Sequence, residues 1–577
     1  MLSLFGSGIG RGIAIGKAYV LKNSEIETPE IKLEKDQVAA EIRRFKKAIS
    51  ATERQYQVVL DQLPKDAPKE SAAFISAHMM MLRDPLLVDE SINIIKRDQV
   101  NAEHALQIQS GNLVKVFEQM QDVYLRNKKA DVQHITNRLL RNLMGIVSHS
   151  LDEFNKEDLT GRIIVSKDLS PTETMFVKDR KVSAFVTDLG SQISHTAIIA
   201  RSLQLPAVVG LHGSSKYISD DDILIVDGKR GIILINPSKV VLGQYKGLQR
   251  QIRGREKSLG RLTNKTSKTL DGHRIQLLAN IDSVSELRDV KRVNAAGIGL
   301  YRTEYLFMNR FQAPSENEQF KAYKRIVTGL NKLVAVRTLD IGGDKQLDFD
   351  YPRKSSSESP LGLRAVRLCL NNMDLFKPQL RAILRASAFG KIAIMIPMVS
   401  NYEEINQVLA IIKQTKLELK KQNIAFDPRI RVGGMIEVPA SAIMADIFAQ
   451  KLDFLSIGTN DLIQYTLAIN RVDDAVNYLY DPIHPAVLYL IRRVIRAGDK
   501  AGIPVSLCGE MAGNVQYTRL LLGLGLKIFS MDSTYILDVK EKVLGTDLSK
   551  LNYQVKQILK ADNLSQAREH LSKLNRL

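Results

Sequence analysis

Residues 270–577 predict a (β/α)8 barrel, and the chain ahead of them predicts a smaller α/β domain interrupted by a helical bundle. Three observations carry this α/β multidomain class. From about residue 270 onward, short apolar runs alternate with longer segments of helical period, in about eight βα units. Residues suited to chemistry follow those runs directly, where barrel strands end. Residues 33–148, by contrast, hold few glycines and keep apolar positions three and four apart.

The elements follow in order. At 577 residues the chain is too long for one domain. Residues 1–28 read as a glycine-rich loop and a strand, "GIAIGKAYVLK". The loop "GIGRGIAIGKA" resembles a nucleotide-binding loop, but Ala18 follows Lys17 where a hydroxyl is needed, and the stretch precedes its strand, so it is expected to be a turn. Residues 29–149 predict the helical bundle, with Val38, Ile42, Phe45 and Ile49 on one face and Ile135, Leu139 and Leu140 on another. "DQLPKDAPKES" and "RDP" ending at Pro85 break it. Residues 150–243 return to short strands: "GRIIVSKDLSP", "VSAFVTDLG", "PAVVG" and "DDILIVDGKRGIILINP". Residues 244–269 form a basic linker. In the barrel, strands are expected at "IQLLANI", "AAGIGLYRTE", "LVAVRTLDIGG", "LGLRAV", "KIAIMIPMV", "VGGMIEVP", "LDFLSIGTNDL", "IPVSLCGEM" and "KIFSMD".

Composition excludes several classes. No apolar run approaches the roughly 20 residues of a membrane span, and no signal peptide is expected. Two cysteines, Cys369 and Cys508, give no disulfide framework and suit a reducing cytoplasm. The formal charge is +19, but part of the excess is the run from Lys246 to Lys268, which no aromatic residue interrupts. A nucleic-acid stacking platform is therefore not expected.

The residues at strand ends are Arg302 and Glu304; Arg337, Asp340 and Lys345; Arg364; Glu437; Asn460 and Asp461; Cys508 and Glu510, with Arg471 nearby. Arginine forks match phosphate and carboxylate oxygens, so the pocket suits a small, multiply anionic substrate. Glu437 and Asp461 stand 24 positions apart, one βα unit, and two hard oxygen ligands on adjacent strands suit Mg²⁺. Alternatively, these carboxylates only neutralise the arginines, and Cys508 is only core filler. Earlier in the chain, Ser194 can cap a helix that places His195 in its first turn, where the helix field favours neutral imidazole and stabilises a phosphoryl group on it. No second ligand stands near His195 at metal spacing.

Five stretches carry a resemblance: "SHTAIIARSLQLPAVVG", "GIGLYRTEYLFMNR", "VRTLDIGGDK", "IEVPA" and "DFLSIGTNDLIQYTLAINR". The chain resembles enzyme I of the bacterial phosphoenolpyruvate:sugar phosphotransferase system over nearly its whole length. The resemblance implies that His195 is phosphorylated on Nε2. It implies that Arg302, Arg337, Asn460 and Arg471 bind phosphoenolpyruvate, with Asp461, Arg364 and Lys345 lining the pocket. It implies that Glu437 and Asp461 hold Mg²⁺ and that Cys508 protonates the enolate to give pyruvate. The α/β domain would be a swivelling phosphohistidine domain, the helical insert would dock the carrier protein HPr, and the barrel would form a homodimer in the cytoplasm.

Departures from the family pattern are Ser191 and Ile193 beside His195, "GRG" at Gly10 to Gly12, and Ser76 and Arg83 where members often place glutamates. Fewer acids on the insert would weaken steering of a basic HPr. They leave room for a nitrogen-related paralogue with a different HPr, or for a catalytically impaired regulatory protein. A related dikinase is disfavoured, because the residues ahead of the histidine domain lack a phosphate loop.

Overall fold

The computed structural model describes residues 2–10, 12–21, 28–61, 75–76, 78–119, 129–145, 158–167, 169, 180–190, 200, 205–211, 213–308, 312–341, 361–470 and 476–577. They divide into two compact units, Met1–Gly254 and Arg255–Leu577.

The first unit opens with strands β1 (Leu2–Phe5), β2 (Ser7–Ile9) and β3 (Ile13–Leu21). Helices α1 (Val38–Asp61), α2 (Pro85–Asp98), α3 (Ala102–Gln119) and α4 (Lys129–Leu143) follow. α2 starts where the sequence breaks: the Asp84 carboxylate accepts from the Leu86 N–H at 2.9 Å and Pro85 takes the first helical position. The predicted faces meet in one core of Phe45, Ile49, Leu82, Ile95, Leu106, Ile135, Leu139 and Leu140. Arg44 ties three helices, donating to Glu103 Oε1 and the Leu143 carbonyl at 2.8 Å and to Glu41 Oε1 at 2.6 Å.

Strands β4 (Ile163–Ser166), β5 (Ala184–Thr187), β6 (Ala207–Val209), β7 (Ile223–Asp227) and β8 (Ile232–Ile235) complete an eight-stranded sheet of order β1-β8-β7-β3-β4-β5-β6-β2. β3 to β6 run parallel, and the remaining pairs are antiparallel. The two edges, β1 and β2, are joined by Gly6 alone, so the sheet must roll until its edges meet. The strand expected at "GIAIGKAYVLK" is β3, and the turn expected at "GIGRGIAIGKA" is corrected at its start. Gly8 and Ile9 lie in β2 and Ile13–Ala18 in β3, leaving residues 10–12 between them. Gly8 is needed for close approach: a Cβ there would sit 2.8 Å from the Gly231 nitrogen.

Helix α5 (Lys239–Gly260) takes up much of the basic stretch expected as a linker. Its apolar residues Val241, Leu242, Tyr245, Leu248 and Ile252 pack on Ile13, Ile225 and Leu234, and near its end Arg255 pairs with Asp538 at 2.7 Å.

The second unit is a closed barrel of eight parallel strands: β9 (Gln276–Ile281), β10 (Ile298–Arg302), β11 (Val334–Arg337), β12 (Ile392–Ile396), β13 (Arg431–Ile436), β14 (Phe454–Ile457), β15 (Val505–Leu507) and β16 (Ile528–Asp532). β16 pairs back onto β9, and helices lie between successive strands. Strand alternation divides the core. Leu300, Ala335, Ala393, Met395, Met435, Phe454 and Cys508 fill the interior, while Val334, Val336, Ile394, Leu455 and Leu507 pack outward with the helices. "LGLRAV" is not a strand. Leu361 and Leu363 are exposed, and Ala365–Asn371 is a helix, so the apolar spacing there faces water instead of a sheet.

Candidate active site

Period-two geometry explains which residues share the barrel mouth. Arg302 follows Leu300 on the inward face of β10, Arg337 follows Ala335 on β11, and Glu437 follows Met435 just past β13. Cys508 follows β15 inside the same ring.

These groups are wired by charge. Arg337 is buried, and its guanidinium contacts Glu304 and reaches Asp340 at 3.0 Å. Asp340 also holds Arg364 at 3.0 Å, and Arg364 donates to the Tyr465 hydroxyl at 3.0 Å. Arg302, half-buried, pairs with Asp282 at 3.0 Å. Among the described residues, neither buried arginine's Nε–H has a partner, so each retains donor capacity. Glu437 Oε1 accepts from the Met398 N–H at 2.6 Å, a geometry set by the left-handed backbone of Met398 (φ 54°) after β12. Asp461 lies in the first turn of the helix Thr459–Thr466 that follows β14. Asn460 accepts from the Glu510 N–H at 2.9 Å and donates to Glu510 Oε1 at 3.1 Å, so the turns after β14 and β15 interlock.

Arg364 reaches the site from an unexpected element. It is the extended residue that precedes the helix Ala365–Asn371, and it is buried against Asp340. His195, Lys345 and Arg471, with Ser191, Ile193 and Ser194, lie outside the described residues.

Three family models cover the chain: the N-terminal domain of phosphoenolpyruvate-utilising enzymes matches residues 6–128, their mobile domain 159–231, and their phosphoenolpyruvate-binding domain 256–548. A phosphoenolpyruvate-protein phosphotransferase of Cupriavidus necator is 41% identical over 567 residues, 97% of each chain. Proteins of the same name from Bacillus subtilis and Haemophilus influenzae are each 40% identical; they cover 98% and 95% of this chain, and 97% and 94% of their own lengths.

The chain belongs to the phosphoenolpyruvate-protein phosphotransferases.

It is therefore a transferase, and its barrel mouth has electrostatics suited to one. Burial pushes the Cys508 thiol up, with Glu437 adding to the shift, so the sulfur keeps its proton at neutral pH. Burial, then the carboxylates of Asp461 and Asp340, push Glu437 up to about 8 against the pull of Arg337. A divalent cation would relieve the penalty that burial and the neighbouring carboxylates place on the Glu437 charge. Among the described residues, no cluster of three or more histidine, cysteine or carboxylate groups could hold a metal. A pair such as Glu437 and Asp461 would leave the remaining positions of a bound Mg²⁺ to water and substrate.

Sequence reasoning missed two members. Asp282 follows β9, and the strand-end rule applied to "IQLLANI" would have found it. Tyr465 lies four residues after Asp461 on one helix face, a spacing that was available but carries no charge to draw notice. No described helix is long and apolar enough to cross a membrane.

Proposed function

We propose that the chain transfers the phosphoryl group of phosphoenolpyruvate to Nε2 of its own His195, releasing pyruvate, and then to a histidine of the carrier protein HPr. One observation supports the first step best: buried arginines, two mutually repelling carboxylates and a protonated thiol converge on one barrel mouth. Arg302, Arg337, Asn460 and Arg471 would bind the substrate, with Arg364 and Lys345 beside them. Glu437 and Asp461 would hold Mg²⁺, which supplies charge neutralisation on the phosphoryl group. The arginine forks orient phosphate and carboxylate, and Glu304 and Asp340 fix the forks. Cys508 gives its Sγ proton to the enolate carbon, which traps the product as pyruvate.

On this reading residues 1–28 and 150–243 form the phosphohistidine domain, 29–149 the HPr-docking insert, 244–269 the connection, and 270–577 the substrate barrel. The protein would work in the cytoplasm as a homodimer through the barrel. The test is labelling with phosphate-labelled phosphoenolpyruvate and Mg²⁺. Acid-labile, base-stable label on the wild type and none on His195→Ala is expected. Equal label on both, or none on either, overturns the assignment.

A further inference from the structure

The barrel interior is apolar around Cys508, lined by Leu300, Ala335, Met395, Met435 and Phe454. The serines of β14 and β15 place hydroxyls in it beside the sulfur. Ser456, in β14, is fully buried, and Ser506, in β15, is 8% exposed. A buried serine ordinarily returns its proton to a backbone carbonyl nearby. Ser456 instead donates to Cys508 Sγ at 3.3 Å, and Ser506 Oγ stands 3.0 Å from Ser456 Oγ, closer than the Leu455 carbonyl at 3.5 Å. The sulfur also lies 3.6 Å from the Ile457 carbonyl oxygen. The register of β14 and β15 makes this contact: Ser456 pairs directly with Ser506, and the Cys508 N–H donates to Ile457 O at 3.0 Å. Sulfur of a thiol is a weak acceptor, whereas a thiolate is a strong one. A donor aimed at Sγ is therefore worth little before proton transfer and much after it.

We propose that Ser456 is a positioning residue that stabilises the Cys508 thiolate formed when the enolate is protonated, with Ser506 polarising Ser456. The inference rests on the proposed role of Cys508 as proton donor. In the step, the carbon–carbon π pair of the enolate takes the Sγ proton and the oxygen becomes the pyruvate ketone. The S–H pair stays on sulfur, and the Ser456 O–H faces that charge. Such a contact acts on the transition state and not on the bound substrate. It predicts a loss in kcat with no change in KM.

The experiment compares Ser456→Ala, Ser506→Ala, Cys508→Ala and the double variant Ser456→Ala/Cys508→Ala in the full chain. Pyruvate formation is followed beside the facial selectivity of protonation, read from the chirality of the methyl group formed from stereospecifically deuterated phosphoenolpyruvate in tritiated water. Ser456→Ala is expected to lower kcat for pyruvate formation about tenfold or more at unchanged KM, the range for a hydrogen bond to a charged group. Ser506→Ala should lose less. In the Cys508→Ala background, removing Ser456 should cost nothing further, because the thiolate it serves is gone. Wild-type kcat in Ser456→Ala overturns the proposal. So does an equal additional loss on the Cys508→Ala background, which would mean that Ser456 only supports the barrel. If Cys508→Ala itself keeps wild-type rate and selectivity, the donor role of Cys508 fails instead, and Ser456 falls with it.

Discussion

Burial keeps the Cys508 thiol protonated, and this separates its contribution from that of the arginines. Cys508→Ala is expected to slow pyruvate formation by about a hundredfold or more while phosphoenolpyruvate binding changes little, because only the proton donor is removed. Equal losses in binding and turnover would contradict that. The pH dependence has a definite sign. The thiol donates only while protonated, so its contribution is complete below its raised pKa and is lost as pH rises through it. The alkaline limb of pyruvate formation should therefore lie above the ordinary thiol range, and a limb within that range would show a solvated sulfur. At this scale the sequence was informative where polarity and strand position coincide, as at Arg302, Arg337 and Glu437. It was silent about partners. Asp282 beside Arg302, and Ser456 beside Cys508, depend on which strands become neighbours.

At the scale of elements, the turn after β15 fits against the helix after β14 with no room to spare. A Cβ on Gly509 would overlap the Thr459 hydroxyl and stand 2.7 Å from its backbone nitrogen. Gly509→Ala should destabilise the second unit by about 1–3 kcal/mol, seen as a lower urea midpoint, because the Thr459 backbone must move. An unchanged midpoint would mean that the two turns slide freely. The barrel's strands were legible because each is a β-branched or apolar run closed by polar residues. "LGLRAV" has the same spacing without the burial, and nothing local distinguishes leucines facing water from leucines facing a sheet. The cations of α5 were legible as a charged run, whereas their helical form rests on an apolar stripe that packs on Leu234 and on Ile13, a residue from a distant part of the chain.

At the scale of the molecule, the insert carries its own charge pattern. Arg83 pairs with Glu53 at 2.7 Å on the exposed surface, which cancels one of the acids available for steering a basic carrier. Exposed pairs contribute little to stability, so Ser76→Glu with Arg83→Glu should leave the melting temperature nearly unchanged. It should speed phosphoryl transfer to a strongly basic HPr by several-fold at low salt, with the gain fading as salt rises. No change in rate would remove these positions from docking. The domain order of such a protein is readable because composition changes sharply between zones. How the sheet closes is not, since no local signal says that β1 and β2 take opposite edges.

One feature of that sheet reaches beyond mechanics. β3 and β4 are hydrogen-bonded neighbours, with Leu21 facing Ser166, although the whole bundle lies between them in the chain. The bundle therefore hangs from two adjoining strands and breaks no pairing of the sheet. Its surface can drift, duplicate or be exchanged over generations while the inherited framework folds as before. A change confined to the bundle thus leaves the framework that holds it as it was.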